Sequence, residues 1–346
     1  MSEKIIVTGG TGYIGSHTII ELFRNTDYDV ICIDNQSRSY LSTLDRIKDI
    51  TGKTVINYSL DLRDYDALKK VFETHHDIVG IIHFAAFKTV PESVAEPLLY
   101  YDNNFNSLIN VMRACQDYQI KNLIFSSSCS LYGNVSSLPV AEDTPLSKTE
   151  SPYAHTKLVG EEMLQNFVKA VTSTNVIALR YFNPVGADMT GRNGELPIRK
   201  PNNLVPVITQ VASGILPQLT IFGSDYETRD GTCIRDYIHV SDIANAHILA
   251  LDYLVEQRNK DTYEVFNLGT GNGVTTLEAV KAFEKVAHLD LNYTIGERRP
   301  GDVAAIYSNS EKAEKILGWK CKYDIEDMMA SAWKWQQYLN ENKIEK

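Results

Sequence analysis

The sequence predicts an α/β protein built on a doubly wound parallel sheet, with a smaller, discontinuous C-terminal domain. Two observations predict this fold. Short apolar runs typical of buried strands alternate with helix-like segments as far as about residue 181, which is the pattern of a parallel sheet covered by helices on both faces. The alternation then breaks down in a stretch rich in Pro, Gly and Asn at residues 183–203. A connection of that length in a compact protein is usually functional.

The first predicted strand, residues 5–7, leads through Gly9, Gly12 and Gly15 into a helix-like segment at residues 13–23. Glycines at this spacing let the backbone turn sharply and approach a pyrophosphate closely. The N-terminus of the helix presents free N–H groups to such an anion. The segment therefore predicts a Rossmann-type dinucleotide site, whereas the glycine motif alone is also compatible with an ordinary turn.

An acidic residue follows the second predicted strand, residues 30–33. Asp34 lies 19 residues after Gly15, close to the distance at which a carboxylate meets the adenosine ribose hydroxyls. Because a carboxylate repels a 2′-phosphate, Asp34 favours NAD over NADP. Arg38 could recruit the phosphorylated cofactor instead, but Asp34 stands first in the loop.

The remaining elements continue the alternation. A third strand, residues 55–60, ends at Asp61-Leu62, where the carboxylate is either an acceptor for the adenine amino group or a strand-end cap. Further predicted elements are strands at 78–84, 123–127, 176–181 and 263–268, and helices at 64–75, 97–118, 152–171, 242–255 and 275–287. We therefore predict a cofactor-binding domain of residues 1–182 with a returning segment near 236–268, and a second domain of residues 183–235 and 269–346.

Tyr153 and Lys157 form a candidate proton-transfer pair on one predicted helix. Ser151-Pro152 is a plausible helix start, and side chains four residues apart share a helix face. Lowering the pKa of a tyrosine from about 10 to about 7 requires about 4 kcal/mol of stabilisation of the phenolate. Positive charge on the lysine and on an oxidised nicotinamide ring can supply it. Ser128, at the end of the fifth strand, would hydrogen-bond the same substrate hydroxyl, because ligands bind beyond the carboxyl ends of such strands.

Composition limits the remaining functions. The 346 residues, 43% of them hydrophobic, suffice for a sizeable core and more than one domain. A formal charge of −10 argues against non-specific nucleic-acid binding, and no apolar stretch approaches the ~20 residues that span a membrane. The five cysteines are scattered without metal-binding spacing, so we expect reduced thiols and no metal site. Because the first strand begins almost at once, leaving no room for a signal peptide, we expect a cytoplasmic protein.

Several longer motifs accompany these groups along the whole chain. They are Gly9-Gly10-Thr11-Gly12-Tyr13-Ile14-Gly15-Ser16-His17, His83-Phe84-Ala85-Ala86-Phe87-Lys88, Tyr100-Tyr101-Asp102-Asn103-Asn104, Arg180-Tyr181-Phe182-Asn183-Pro184, Pro201-Asn202-Asn203-Leu204, Arg235-Asp236-Tyr237-Ile238-His239-Val240 and Arg298-Arg299-Pro300-Gly301-Asp302. On these residues the chain resembles the extended short-chain dehydrogenase/reductase family and, within it, the UDP-glucose 4-epimerases. The resemblance implies NAD as cofactor, UDP-hexoses as substrates, and inversion at C4 of the hexose through a transient 4-keto sugar.

The resemblance also implies roles for individual residues. It places catalysis on Ser128, Tyr153 and Lys157. It places the cofactor against Gly9, Gly12, Tyr13, Ile14, Gly15, Asp34, Asn35, Asp61, Leu62, Phe84, Ala85, Lys88, Asn103, Ser126, Tyr153, Lys157, Tyr181 and Phe182. It places the substrate against Lys88, Ser128, Tyr153, Asn183, Asn203, Leu204, Phe222 (on uracil), Arg235 and Arg299 (on the diphosphate), Asp302 (on the uridine ribose) and Ile306. His17 and His239 have no clear acid–base partner and are interpreted as structural.

Ile306 departs from both familiar patterns of that family. The position four residues after the motif aspartate lines the sugar pocket in the family. Members restricted to glucose and galactose can have tyrosine there, and members that also accept N-acetylated sugars have a small residue. Counting from Asp302 gives Ile306, although a slippage of one residue would give Tyr307. Because isoleucine is smaller than tyrosine but branched and stiff, we predict UDP-glucose and UDP-galactose as main substrates and weaker activity on UDP-GlcNAc and UDP-GalNAc. The alternative is a core residue without contact to the sugar.

Two other functions compete with epimerisation. A nucleotide-sugar 4,6-dehydratase or decarboxylase would begin with the same oxidation. Elimination needs an additional acid–base pair, which is Asp-Glu in dehydratases of the superfamily, where this chain has Cys129 and Ser130. A non-catalytic NAD-sensing protein would not need the serine, tyrosine and lysine together. The resemblance further implies a homodimer in which the helices near 97–118 and 152–171 form a four-helix bundle, whereas a monomer would bury both helices internally.

Overall fold

A computed structural model describes residues 3–135, 137–299 and 302–342 of the chain. Its strands are β1 (Lys4–Thr8), β2 (Asp29–Ile33), β3 (Ile56–Tyr58), β4 (Ile78–His83), β5 (Asn122–Ser128), β6 (Asn175–Tyr181), β7 (Asn183–Val185), β8 (Leu219–Phe222), β9 (Ile234–Arg235), β10 (Tyr237–His239), β11 (Tyr263–Leu268), β12 (Val274–Thr275), β13 (Tyr293–Gly296) and β14 (Ala305–Ile306). Its helices are α1 (Tyr13–Asn25), α2 (Thr43–Thr51), α3 (Tyr65–Thr74), α4 (Val90–Ala95), α5 (Pro97–Asp117), α6 (Pro152–Ala170), α7 (Leu204–Ala212), α8 (Val240–Val255), α9 (Thr276–Ala287), α10 (Glu311–Leu317) and α11 (Ile325–Glu341), with a 3₁₀ helix at Cys129–Tyr132.

A parallel sheet forms the centre of the fold. Across the described residues it has seven strands in the order β11–β6–β5–β4–β1–β2–β3, and each neighbouring pair is parallel. The order reverses between β1 and β4, and the crevice at such a switch point, outside the carboxyl ends of the strands, is where ligands bind in this architecture. The predicted doubly wound α/β fold is confirmed.

Helices cover both faces of this sheet. On one face, Ile19 of α1 and Ile243 of α8 are buried in a common core with the sheet. On the other, Leu108 of α5 and Leu164 of α6 are buried with residues of α3. Each such side chain contributes about 1.5–3 kcal/mol by leaving water. Because α1 follows β1 and α6 follows β5 in the chain, both helices begin at the carboxyl edge of the sheet.

A second hydrophobic core lies among α7, α9 and α11, where Ile208, Phe283 and Met329 are fully buried. Short strand pairs, β8 with β13 and β9 with β12 and β14, connect the same parts of the chain. Leu317 of α10 and the nearby Trp319, which we predicted within the second domain, pack instead in the core of the large sheet. The exact domain boundaries stay a prediction.

Among the described residues, no helix combines the length and the apolar character that crossing a membrane requires.

Candidate active site

The turn between β1 and α1 is tight enough to form an anion cradle. Gly9 has a φ of +71°, in the region that favours glycine. A Cβ atom on Gly15 would lie 2.3 Å from the carbonyl oxygen of Gly9, so only glycine fits there without a shift of the backbone. Gly12 is the N-cap of α1, and no described side chain caps that helix. The N–H groups of its first turn, where Tyr13 and Ile14 lie, therefore suit a dinucleotide pyrophosphate.

Asp34 lies beside this turn at the end of β2. Its Oδ2 accepts a hydrogen bond from the N–H of Thr11 at 3.1 Å. Arg38, the residue that could have favoured a phosphorylated ribose, donates to Glu92 Oε1 at 2.8 Å and lies 4.7 Å from the centre of the Phe87 ring. Because Arg38 is engaged by these two contacts, its positive charge is not directed at the ribose position next to Asp34. The Asp34 carboxylate therefore supports the prediction of NAD over NADP.

Asn35 and Asp61 lie side by side beyond β2 and β3. Asn35 Nδ2 donates to Asp61 Oδ2 at 3.0 Å. Hydrogen bonds from Arg63 lower the pKa of Asp61 to about 2. Asp61 therefore organises its own turn as an ionised carboxylate next to the buried Leu62, and its contact with adenine stays a prediction.

The segment after β4 forms one wall of the cradle. The N–H of Phe84 donates to the carbonyl oxygen of Thr8 at 3.0 Å. A Cβ on Gly9 would lie 2.8 Å from the nitrogen of Ala85. Asn103 of α5 is 6% exposed, and its Nδ2 donates a hydrogen bond to Oδ1 of Asn104 at 3.0 Å.

Glu195, which no sequence pattern singles out, connects two predicted site residues. Its Oε1 accepts hydrogen bonds from Lys88 Nζ at 3.2 Å and from Asn203 Nδ2 at 2.8 Å. Lys88 Nζ also lies 5.7 Å from the centre of the Tyr13 ring. Glu195 belongs to the Pro-, Gly- and Asn-rich connection, which the sequence marks as functional, but no spacing rule distinguishes it from other acidic residues there.

The three predicted catalytic residues meet at the carboxyl end of β5. Ser151 is the N-cap of α6, as predicted, and its Oγ accepts a hydrogen bond from the N–H of Ala154 at 3.2 Å. Tyr153 therefore lies in the first turn of α6, and Lys157 follows one turn later on the same face. Ser128 is the last residue of β5, and its hydroxyl lies close enough to that of Tyr153 to lower the pKa of the phenol.

Lys157 is held deep in this site. Its Nζ donates to the carbonyl oxygen of Ser126 at 2.5 Å and lies 4.8 Å from the centre of the Phe125 ring. The hydroxyl of Ser126 in turn hydrogen-bonds that of Tyr181. The end of β6 is thus joined to the end of β5 directly beside the lysine.

Burial dominates the electrostatics of the pair. It raises the pKa of Tyr153 to about 12, against a smaller lowering by the nearby Ser128 hydroxyl. It lowers the pKa of Lys157 to about 7, opposed by the charge of Glu161. The predicted lowering of the tyrosine pKa to about 7 relies on the lysine and on the oxidised nicotinamide ring together, whereas the protein groups alone leave this pKa raised, because desolvation disfavours both charged forms. Further positive charge is needed to bring the pKa of the phenol down.

A patch of cationic and aromatic side chains lies on the elements of the second core. Phe222 ends β8, and the guanidinium carbon of Arg299 is 4.2 Å from the centre of its ring. Arg235 of β9 pairs with Asp302 at 3.2 Å, and the N–H of Asp302 donates to the carbonyl oxygen of Arg299 at 3.2 Å. The structure therefore brings these four predicted residues together; Pro300 and Gly301 of the same motif lie outside the described residues.

The segment that joins the catalytic group to the patch of cationic and aromatic side chains begins at Phe182 and Asn183. The N–H of Asn183 donates to the carbonyl oxygen of Asp236 at 2.9 Å. Asn203 is the N-cap of α7 and Leu204 its first residue. Both asparagines therefore belong to the segments that join the large sheet to the second core.

Ile306 is buried beside the catalytic elements. It shares a hydrophobic cluster with Phe182 and Tyr132 and is the register partner of Arg235. The ring of Tyr307 instead lies 2.9 Å from the position that a Cβ on Gly273 would take. Tyr307 follows the end of β14, and of the two residues it is Ile306 that packs beside Phe182.

The two histidines of interest are buried. Nδ1 of His17 lies 2.7 Å from the carbonyl oxygen of Tyr13, and Nε2 of His239 lies 3.1 Å from Oγ of Ser331. Burial lowers the pKa of both rings, which agrees with a structural role. Within the parts of the chain that the structure describes, no group of three or more His, Cys, Asp or Glu side chains could hold a metal ion.

Known proteins share both the sequence and the fold. The model of the NAD dependent epimerase/dehydratase family matches residues 5–269. The UDP-glucose 4-epimerase of Bacillus subtilis is 47% identical over 332 residues, which are 96% of each chain.

Two solved structures extend the likeness to nearly the whole fold. A UDP-glucose 4-epimerase from Stenotrophomonas maltophila, with bound NAD and formylated UDP-arabinopyranose, has a TM-score of 0.94 at 41% identity and covers 98% of this chain and 99% of its own. One from Bifidobacterium longum, in complex with NAD+ and UDP, has a TM-score of 0.92 at 45% identity and covers 97% and 98%. With the glycine cradle, the acidic residue beside it and the Ser-Tyr-Lys group in place, the chain belongs to the NAD dependent epimerase/dehydratase family.

Proposed function

We propose that this protein is a UDP-glucose 4-epimerase, which interconverts UDP-galactose and UDP-glucose with NAD as its cofactor. The observation that carries the proposal is that Ser128, Tyr153 and Lys157 lie together at the carboxyl edge of the sheet that also holds the glycine cradle. Relatives and structural neighbours named UDP-glucose 4-epimerase match along almost the entire chain, and two of those neighbours contain NAD with UDP or a UDP-sugar.

The protein groups would manage the proton of the sugar hydroxyl. Tyr153 takes the proton of the 4-hydroxyl while Ser128 hydrogen-bonds the same oxygen, and the ammonium of Lys157 stabilises the phenolate. When bound, NAD supplies a reversible acceptor for the hydride of C4 and, in its oxidised form, the positive charge that the buried tyrosine lacks. Loss of one hydride and one proton leaves a 4-keto sugar, and return of both restores the hydroxyl.

Inversion requires that the sugar turn over between these two steps. Phe222, Arg235 and Arg299 would hold the uracil and the diphosphate, because planar guanidinium groups match phosphate oxygens with two hydrogen bonds each. Nucleotide binding then keeps the substrate in place while the ketone rotates about the glycosyl–phosphate linkage. Hydride returned to the opposite face of C4 gives the epimer.

The dehydratase alternative finds no support at the site. Elimination needs a second acid–base pair, and the 3₁₀ helix directly after Ser128 begins with Cys129 and Ser130. Burial raises the pKa of the Cys129 thiol to about 12, so it stays protonated at neutral pH. Neither side chain can replace a carboxylate there.

We also propose a cytoplasmic homodimer that packs α5 and α6 against their copies. Leu98 and Leu99, at the start of α5, are 79% and 39% exposed, and all five cysteines are free thiols. Sedimentation equilibrium would give twice the mass of one chain, and a monomeric mass would overturn the dimer. Fractionation of the source cells tests the location.

Purified protein is expected to convert UDP-galactose into UDP-glucose without added cofactor. The cradle, Asp34 and Lys88 would bind different parts of one dinucleotide, so NAD should remain bound through purification. Chromatography of the sugar products measures conversion, and denaturing the protein should release about one NAD per chain. Absence of conversion with bound NAD present would contradict the epimerase assignment, whereas absence of NAD would contradict the cofactor site.

Ile306→Tyr is expected to reduce activity on UDP-GlcNAc relative to UDP-glucose. The branched isoleucine leaves partial room for an acetamido group beside Phe182, and a tyrosine would fill it. The ratio of the two activities should fall by about tenfold, the size of effect that contacts in an apolar pocket provide. Tyr307→Phe is the matched control and should keep the wild-type ratio. An unchanged ratio in Ile306→Tyr, or no wild-type activity on the N-acetylated sugar, would overturn this prediction.

A further inference from the structure

Glu161, a buried carboxylate outside the proposed mechanism, joins the elements that carry the catalytic groups. It lies on α6 one turn after Lys157, and its side chain is 2% exposed. Arg180 of β6 donates to both of its oxygens, from Nε at 2.9 Å and from Nη2 at 2.7 Å. Ser127 of β5 donates its hydroxyl to Oε1 at 2.5 Å. A bidentate pair of this kind fixes direction as well as distance.

The donors of Glu161 are placed by the register of the sheet. Ser127 and Arg180 are register partners on β5 and β6, and the next pair in the same register is Ser128 with Tyr181. Partners in a sheet present neighbouring side chains on the same face. Glu161 therefore binds Ser127 and Arg180, the pair that directly precedes Ser128 and Tyr181 at the edge of the proposed active site.

This arrangement sets the position of α6 relative to the sheet. Tyr153 and Glu161 lie on one continuous helix, and a helix rises by about 1.5 Å per residue. A shift of the carboxylate along β5 or β6 would therefore carry the Tyr153 hydroxyl with it, away from Ser128. Hydrogen bonds from both strands oppose such a shift.

Tyr263 offers an internal comparison. Its hydroxyl donates to Oε2 of Glu161 at 3.0 Å, so it contributes the same kind of hydrogen bond as Ser127. It lies on β11, at the far edge of the sheet, and β11 carries none of the predicted site residues. Its bond holds the carboxylate without connecting it to β5.

We propose that Glu161 is a positioning residue, which through Ser127 and Arg180 fixes the distance between the Tyr153 and Ser128 hydroxyls; the inference rests on the proposed function. Stability alone is a weak explanation, because apolar residues of similar volume often replace a buried ion pair without loss of stability. Proton transfer, in contrast, is sensitive to position, since a misplacement of about 1 Å can slow a reaction by about a hundredfold.

The test compares Ser127→Ala with Tyr263→Phe in the full-length protein. Each variant removes one hydroxyl donor from the same carboxylate, whereas Glu161→Gln would leave Arg180 buried without its charge partner and could fail to fold. We expect Ser127→Ala to lower kcat for UDP-galactose by about tenfold. KM, the Kd for UDP and the thermal midpoint should match those of Tyr263→Phe, whose kcat should stay close to wild type.

Equal kcat values in the two variants, whether both are unchanged or both are reduced, overturn the inference. A parallel loss of UDP affinity in Ser127→Ala also overturns it, because the residue would then act on binding. The wild-type assay separates the two proposals. An inactive wild-type protein overturns the epimerase function and the inference with it, whereas an active wild type with equal variants overturns the inference alone.

Discussion

Tyr153→Phe is expected to lower the turnover of UDP-galactose by at least about a hundredfold, because general-base catalysis typically contributes that much. The substitution removes the only atom that could take the proton of the sugar hydroxyl from this position and leaves the ring in place. The hydroxyl lies near that of Ser128, the last residue of β5, and apart from the arginine and phenylalanine patch proposed for the nucleotide. Affinity for UDP should therefore stay nearly unchanged.

Steady-state turnover and calorimetric titration with UDP check this expectation together. Tyr253→Phe is a matched control, because it removes another buried tyrosine hydroxyl, one that donates to Glu264 at 3.4 Å. That variant should keep wild-type turnover. Near-wild-type turnover in Tyr153→Phe would assign the proton transfer to a different group, and a large loss of UDP affinity would mean that the tyrosine serves binding instead.

The fold was predictable because its signals are local. Strand β11 (Tyr263–Leu268) coincides with the predicted strand, and Ser151 caps α6 as its position before Pro152 predicted. Helix α11 (Ile325–Glu341) was missed, although Asp324 and Asp327 form a capping box at its start. An aspartate at the N-cap followed by an acidic first turn was readable from the sequence.

The partners of the predicted site residues were not predictable in the same way. Glu195 meets Lys88 across 107 positions of the chain, and no local pattern encodes such a contact. The effect of burial on the Tyr153 pKa was not predictable from local patterns either. A lysine four residues away is a local feature that lowers the pKa of a phenol, but burial is a tertiary property, and here it raises the pKa of Tyr153 to about 12.

Gly15→Ala is expected to leave purified protein with almost no bound NAD. The added Cβ would lie 2.3 Å from the carbonyl oxygen of Gly9 and 2.9 Å from Cα of Gly10. Both contacts are with backbone, which cannot move aside as a flexible side chain can, so the cradle between β1 and α1 must open. Alanine favours a helix interior over glycine by about 1 kcal/mol. The helix itself should therefore persist while the anion site is lost.

Absorbance of the supernatant after denaturation measures the NAD carried by each variant. Gly214→Ala separates loss of the cradle from general destabilisation, because Gly214 has a φ of +71° and a Cβ there would meet no atom within 4 Å. That variant carries the backbone strain of an alanine in the left-handed region without touching β1 or α1, and it should retain NAD. If Gly15→Ala carries about one NAD per chain, the turn can accommodate a side chain. Close approach of the backbone to the pyrophosphate would then not be the basis of cofactor binding.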